Sequence, residues 1–217
     1  MPTDDIPQPR LLSLPEPGFD AVVVAASFGG VQALRTLLSA LPVDFPVPIV
    51  LVLHVGARPS ALAQILQWRS QLTVRWAEQG LRPRPRTVYV APPDRHLTLG
   101  EQRAFVLSEG AKVHATRPAA DPLFQSAARV YGPRSLGVVM TGMGSDGLEG
   151  ARAIHAAGGL VLAQDEATSA AFGMPGGVAG QRLARFVLPL DKLAPALVSL
   201  VMVPGSHALF GVSRQVA

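Results

Sequence analysis

Three polar residues of the types that carry out acyl transfer each come after a short apolar run. They are Ser27, His54 and Asp146. The runs, rich in valine and leucine, cover residues 21–25, 49–53 and 136–140. Such runs are typical of buried parallel strands, and chemistry gathers beyond the carboxyl ends of the strands in open α/β sheets. The pattern predicts a triad in which Ser27 is the nucleophile, His54 the base and Asp146 the residue that orients the base.

The loop at Ser27 has the small residues that a tight strand-to-helix turn requires. The G-x-S-x-G pattern of a nucleophile elbow is met at Gly29, while Ala25 stands in place of the first glycine. The positive end of the following helix would stabilise a developing oxyanion. The alternative is that Ser27 is a helix N-cap without chemistry. The other four histidines lack a comparable setting, and we expect them to be structural or exposed. They are His96, His114, His155 and His207.

The loop over residues 142–147 supports a second hypothesis, a dinucleotide-binding oxidoreductase. Its glycines satisfy G-x-G-x-x-G after a predicted strand, and Asp165 or Glu166 falls where a ribose ligand would lie. Asp146 counts against this hypothesis, because its carboxylate would compete with the pyrophosphate for the same helix N-terminus. The charge suits a residue that orients a histidine.

Alternating apolar runs and amphipathic segments predict the elements that position these residues. Strands are expected at 21–25, 49–53, 73–76, 87–91, 96–99, 103–107, 136–140, 160–163 and 186–188. Helices are expected at 29–41, 59–72, from Asp121 onward, at 147–157 and at 191–201, with Asp121 as N-cap before Pro122. The order predicts an α/β domain, a doubly wound and mainly parallel sheet with helices on both faces and a small antiparallel hairpin. We expect a Pro-rich tail over 1–18 and one domain over 19–217.

Composition narrows the function classes. The 217 residues are 48% hydrophobic and 16% charged, with no cysteine, so disulfides and thiolate metal sites are excluded. We see no membrane-spanning run and no secretory signal, and the cytoplasm is the expected compartment. The net charge of +4 comes almost wholly from arginine and would suit an acidic partner. Nucleic-acid binding is disfavoured because no aromatic residues interleave with the basic ones.

Several spaced motifs also carry a family resemblance. Over about residues 20–200 the chain resembles the catalytic domain of CheB-type protein-glutamate methylesterases, which act on chemotaxis receptors. The matching stretches cover residues 27–34, 53–55, 88–96, 121–128, 141–147 and 173–175. Their order along the chain makes the match more specific than an elbow alone.

The resemblance implies an activity and assigns the site residues. It implies hydrolysis of γ-glutamyl methyl esters on the cytoplasmic helices of chemoreceptors, with possible deamidation of receptor glutamines. The family's triad falls on Ser27, His54 and Asp146, and an oxyanion donor falls on the backbone of Met143. We expect the Phe28 N–H to be the second donor. No metal, cofactor, nucleic acid or membrane insertion is expected.

The chain also departs from the family pattern. Phe28 stands where the family usually has threonine, Ala25 where it has glycine, and Ala119 where it has serine. Many members carry an N-terminal receiver domain, and we expect none before the domain predicted here. A third hypothesis follows from Phe28, a catalytically weak receptor-binding module whose site is blocked by the ring.

Overall fold

Nine short apolar runs form strands, because branched and aromatic side chains pack well on a pleated, half-buried surface. The computed structural model describes residues 18–56, 58–203 and 205. The strands in this part of the chain are β1 (Ala21–Ala26), β2 (Ile49–Leu53), β3 (Thr73–Trp76), β4 (Thr87–Val90), β5 (His96–Leu99), β6 (Phe105–Ser108), β7 (Ser135–Val139), β8 (Leu160–Gln164) and β9 (Phe186–Leu188). Seven of them pair in parallel in the order β3-β4-β2-β1-β7-β8-β9, and β5 and β6 form an antiparallel hairpin. The predicted fold class is confirmed.

Helices cover both faces of the sheet. Those of the described chain are α1 (Gly30–Ser39), α2 (Leu62–Gln67), α3 (Ala120–Tyr131), α4 (Leu148–Ala156), α5 (Gly173–Gly180) and α6 (Leu190–Met202). Helices α1, α2 and α6 bury their apolar sides in one core, while α3, α4 and α5 bury theirs with the β5–β6 hairpin in the other. The sheet residues are therefore apolar on both faces, as expected of a doubly wound sheet.

The strand order places a topological switch at the centre of the sheet. The chain runs from β1 outward to β2 on one side, and later enters the other side through β7. Ala26 at the end of β1 is level with Leu53 of β2, and Ala25 is level with Val139 of β7. The loops after these three strands consequently meet at one edge, where ligands bind in sheets of this kind.

Three helices of the structure differ from the prediction. Helix α2 is shorter than the predicted 59–72, and α3 begins at Ala120 with Ala119 as N-cap, so the assignment of Asp121 as N-cap is wrong. Helix α5 was not predicted, because four glycines and Pro175 in its sequence have low helix propensity. It forms nonetheless because tertiary packing buries Met174 and Val178.

The predicted tail, residues 1–18, lies outside the described residues except for Gly18. In the described part of the chain, we find no helix with the length and apolar character needed to cross a membrane.

Candidate active site

Ser27 lies in a turn that the neighbouring loops hold closed. Its N–H donates to the Thr141 carbonyl at 2.9 Å, and its own carbonyl accepts from the Gly30 N–H at 2.8 Å. Gly29 has φ of +76°, and a Cβ added there would lie 2.5 Å from the Ala170 Cβ. Only glycine fits that position, since it tolerates both the left-handed backbone and the close approach. The elbow geometry thus brings the serine hydroxyl to the edge of the sheet.

Ala25, which replaces the first glycine of the elbow pattern, is fully buried in β1. Its Cβ lies beside Gly147, since a Cβ added to that glycine would be 3.7 Å away, an ordinary van der Waals separation.

His54 links the serine to the aspartate. Its Nδ1 is 3.0 Å from Ser27 Oγ, and its Nε2 is 2.7 Å from Asp146 Oδ2. An ionised carboxylate only accepts hydrogen bonds, so Nε2–H donates to Asp146 and Nδ1 is left to accept the Ser27 proton. The structure thus brings together all three residues of the predicted triad, in the tautomer that a general base requires.

Asp146 is almost completely buried and yet remains a carboxylate. Burial raises its pKa, but hydrogen bonds from His54 and from the backbone N–H groups of Ala120 and Asp121, with the attraction of His54, outweigh burial and leave the pKa below the ordinary value. The two helix N–H groups donate at 2.6 and 3.0 Å, and Gly147 N–H adds a third backbone bond at 3.0 Å. The N-terminus of α3 is therefore capped by a side chain from the loop before α4.

Near Ser27, two backbone N–H groups that could serve an oxyanion donate no hydrogen bond within the described residues. These are the N–H groups of Phe28 and Met143, whereas the neighbouring N–H of Gly142 donates to the Ala171 carbonyl at 2.9 Å. Gly142 packs directly on Ser27, since a Cβ added to it would lie 2.9 Å from the Ser27 Cβ. The side chains of Phe28 and Met143 are 55% and 61% exposed, so they border the site at the surface.

Thr141 and Gln164 fix the loop that carries these donors, and neither is among the site residues predicted from the sequence. Thr141 Oγ1 donates to the Phe28 carbonyl at 2.9 Å and accepts from the Ala171 N–H at 3.0 Å. Gln164, fully buried at the end of β8, accepts from the Thr141 N–H at 2.9 Å. A glutamine that ends an otherwise apolar strand is the signal that would have revealed it, because a buried amide needs a partner.

The dinucleotide hypothesis is not supported at the 142–147 loop. The Gly147 N–H donates to Asp146, and the Gly150 N–H donates to the Asp121 carboxylate at 2.7 Å. The Leu148 N–H donates to the Ser145 carbonyl. The start of α4 is therefore already occupied by two carboxylates and a carbonyl where a pyrophosphate would have to bind.

One cluster of the described residues has the composition of a metal site. His114, Asp121 and Asp146 offer atoms within 4.8 Å of one another. Their oxygens already accept hydrogen bonds from His54, His114 and backbone N–H groups, so we assign the cluster to hydrogen bonding and not to a metal. The sequence predicts a structural or exposed role for His114, and no local pattern indicates its contact with Asp121.

Comparisons with known proteins all point to one family. A family model described as CheB methylesterase matches residues 22–197. A protein-glutamate methylesterase/protein-glutamine glutaminase of Myxococcus xanthus is 52% identical over 82% of this chain and 51% of its own length. One from Caulobacter vibrioides is 45% identical over 91% of this chain and 59% of its own length. This chain thus spans about half the length of these curated relatives.

A solved structure shows the same fold. The CheB methylesterase catalytic domain of Thermotoga maritima is 39% identical, with a TM-score of 0.81, and the match covers 84% of this chain and 99% of that domain. The resemblance of the sequence therefore extends to the arrangement of the elements in space.

Proposed function

Because this chain belongs to the CheB methylesterase family, we propose that it is a serine hydrolase that removes methyl esters from glutamyl side chains of chemoreceptors. The observation that supports this most is the unbroken series of hydrogen bonds from Ser27 Oγ through the His54 ring to Asp146. Nucleophile, base and orienting residue stand in the order that acyl transfer requires.

The reaction proceeds in two halves. Ser27 Oγ attacks the ester carbonyl while His54 Nδ1 takes the hydroxyl proton. The tetrahedral intermediate collapses, the carbon–oxygen bond to the methoxy group breaks, and His54 returns the proton to give methanol. Water, deprotonated by His54, then attacks the acyl-enzyme, and the bond between the acyl carbon and Ser27 Oγ breaks as His54 returns the proton to Oγ. The products are free Ser27 and a glutamic acid, which releases a proton to water and becomes a carboxylate. Asp146 stabilises the imidazolium during both halves.

The oxyanion formed in each half needs donors that the fold has not already used. The N–H groups of Phe28 and Met143 meet this condition in the described residues. Preorganised backbone donors of this kind contribute about 3–4 kcal/mol of transition-state stabilisation each. The side chain at position 28 is immaterial to that donor, since every residue except proline has an N–H.

The same residues would also deamidate receptor glutamines. Attack of Ser27 on a side-chain amide gives the same acyl-enzyme, with ammonia as leaving group after protonation by His54. The names of the Myxococcus and Caulobacter relatives include both activities. No cofactor enters either reaction.

The partner in this proposal is the methylated, cytoplasmic helical region of a chemoreceptor, which places the chain in the cytoplasm. A net charge of +4 favours encounter with an acidic helical surface. Encounter would be weakened by salt, as for any long-range attraction between charges.

The test is methanol release from methylated receptor by the full chain and by Ser27→Ala. We expect wild-type release and essentially none from the variant. Ser145→Ala is the matched control, because Ser145 is exposed in the neighbouring loop and contributes only its backbone carbonyl to α4. Equal release by wild type and Ser27→Ala would exclude Ser27 as nucleophile. Receptor binding without turnover in the wild type would favour the receptor-binding module.

A further inference from the structure

Two buried aspartates cap each other's helices beside the triad. Asp146, in the loop before α4, accepts from the first N–H groups of α3. Asp121, in the first turn of α3, accepts from the Gly150 N–H in the first turn of α4 at 2.7 Å. A Cβ added at Gly150 would collide with Phe124, so the two helices touch where they are capped. The position of Asp146 thus depends on Asp121.

The proximity of the two carboxylates creates an electrostatic problem. The facing atoms of Asp121, Asp146 and His114 lie within 4.8 Å of one another, and both aspartates are at most 3% exposed. Buried like charges at this separation repel strongly unless a cation faces them. Among the described residues, only the His114 side chain makes an ion-pair contact with Asp121. Its Nε2 lies 2.8 Å from Asp121 Oδ2.

The other charged groups around the two aspartates are engaged elsewhere or belong to the triad. On α4, Glu149 and Arg152 pair with each other, and in the loop before α3, Arg117 pairs with Asp94. From the strand ends, His54 faces Asp146. His114 is therefore the side chain that, in its imidazolium form, is placed to compensate Asp121.

The turn that presents His114 is held in an unfavourable backbone conformation. His114 and Ala115 have φ of 50° and 60°, and Val113 and Thr116 exchange both backbone hydrogen bonds, at 3.1 and 2.9 Å. Two-residue turns with two positive φ values favour Asn-Gly, so His-Ala is an uncommon choice. Backbone outliers of this kind persist at sites where the side chain has a task.

We propose that Asp121 and His114 are positioning residues of this site: His114 neutralises Asp121, so that His54 faces the charge of Asp146 alone. The catalytic importance of the two residues rests on the proposed function. Their electrostatic effect on His54 rests only on the hydrogen-bond network. Loss of the His114 cation would expose His54 to a second carboxylate and favour its protonation. Loss of the Asp121 charge would disfavour protonation of His54.

The test is an NMR titration of the His54 ring in the full chain, for wild type, His114→Asn and Asp121→Asn. His114→Asn should raise the His54 titration midpoint and Asp121→Asn should lower it, each by about 0.5 pH unit, less than the 1–3 units of a directly contacting charge. Because asparagine tolerates positive φ, we expect His114→Asn to keep the turn. This variant therefore tests the proposal even if Asp121→Asn fails to fold. The acid limb of kcat/KM should move in parallel.

Two matched controls separate charge compensation from a general effect. Glu149→Gln removes an exposed carboxylate from α4, and His155→Asn removes an exposed histidine from the same helix. Neither should move the midpoint measurably. Unchanged midpoints in His114→Asn, or shifts of the same sign in both network variants, would overturn the proposal and leave a structural role. Because the titration requires no hydrolysis, its result is independent of whether methanol release succeeds.

Discussion

The two edges of the central sheet each hold an aspartate, and the partners of that aspartate decide what the edge can do. At the carboxyl edge, Asp146 faces His54, which can gain and lose a proton. At the amino edge, Asp20 accepts from Arg134 Nε and Nη2 at 2.8 and 2.6 Å and pairs with Arg103 at 3.0 Å. Arginine stays charged at any working pH, so the Asp20 cluster can hold elements together but cannot transfer protons.

A cleft at the amino edge does not mark the candidate site. A cleft of about 660 Å³ lies at the amino edge, beside Asp20 and Tyr131, with walls that include Pro46, Pro48, Pro83 and Pro85. Its lining residues contain no serine or histidine, whereas the carboxyl edge brings both to one aspartate. Chemistry in this fold follows from the strand ends, as the switch-point rule states.

The strongest test of the comparison is Asp146→Asn. An asparagine amide would donate to His54 Nε2 and force the proton onto Nδ1, where it can no longer accept from Ser27. We expect kcat/KM for ester hydrolysis to fall about 10³–10⁴-fold. Asp165→Asn is the control, since Asp165 lies at the same edge but bonds Thr168 instead of a histidine. A loss below tenfold in Asp146→Asn would contradict the role given to the carboxylate.

Phe28 offers the next largest effect, and in the opposite direction. The ring supplies no hydroxyl, so Phe28→Thr should raise the rate of ester hydrolysis about tenfold to a hundredfold, the worth of one side-chain hydrogen bond made in the transition state. The pH profile should not change, because the base is still His54.

Phe28→Ala distinguishes the two ways in which threonine could help. If alanine raises the rate as much as threonine, the ring obstructs the site and the hydroxyl is irrelevant. If both variants leave the rate unchanged or lower it, the ring belongs to a working site and the hypothesis of an impaired enzyme fails.

The parts of the site that sequence could predict are those fixed by strand ends. Ser27, His54 and Asp146 were found because each comes after an apolar run, and parallel strands bring their ends to one edge. Helix α5 was missed because its glycines conceal a helix that only packing stabilises.

The helix caps and the contact between Asp121 and His114 could not have been predicted in the same way. Asp121 followed by Pro122 is typical of an N-cap, yet the carboxylate caps a different helix, 29 residues away along the chain. Reciprocal caps depend on how α3 and α4 pack, and no local pattern records that packing. His114 was undetected for the same reason, since its partner is defined only in the folded chain.

The pH dependence of stability should separate Asp146 from an ordinary surface carboxylate. Its pKa is lower in the folded chain than the unfolded value of about 3.9, so it stabilises the fold above that pH and loses this contribution as the pH falls through the folded value. Wild type should exceed Asp146→Asn in free energy of unfolding at pH 7, and the gap should narrow below about pH 4. Urea denaturation across this range measures it, and a gap that is constant from pH 7 to 3 would contradict the assignment.

The smallest effect on activity is expected at the amino edge. There, a substitution should lower the stability of the fold and leave the rate of ester hydrolysis unchanged. Asp20→Asn removes the carboxylate that contacts Arg103 and Arg134, and Asp20 is only 15% exposed, so we expect a loss of about 1–2 kcal/mol. That corresponds to a fall in Tm of about 2–8 °C for a domain of this size.

The rate of ester hydrolysis in Asp20→Asn should stay within twofold of wild type, because the cluster lies at the opposite end of β1 from Ser27. Asp44→Asn, at an exposed aspartate, should change neither quantity. A tenfold loss of activity in Asp20→Asn with little change in Tm would mean that the two edges are coupled through β1, and the division between them would have to be abandoned.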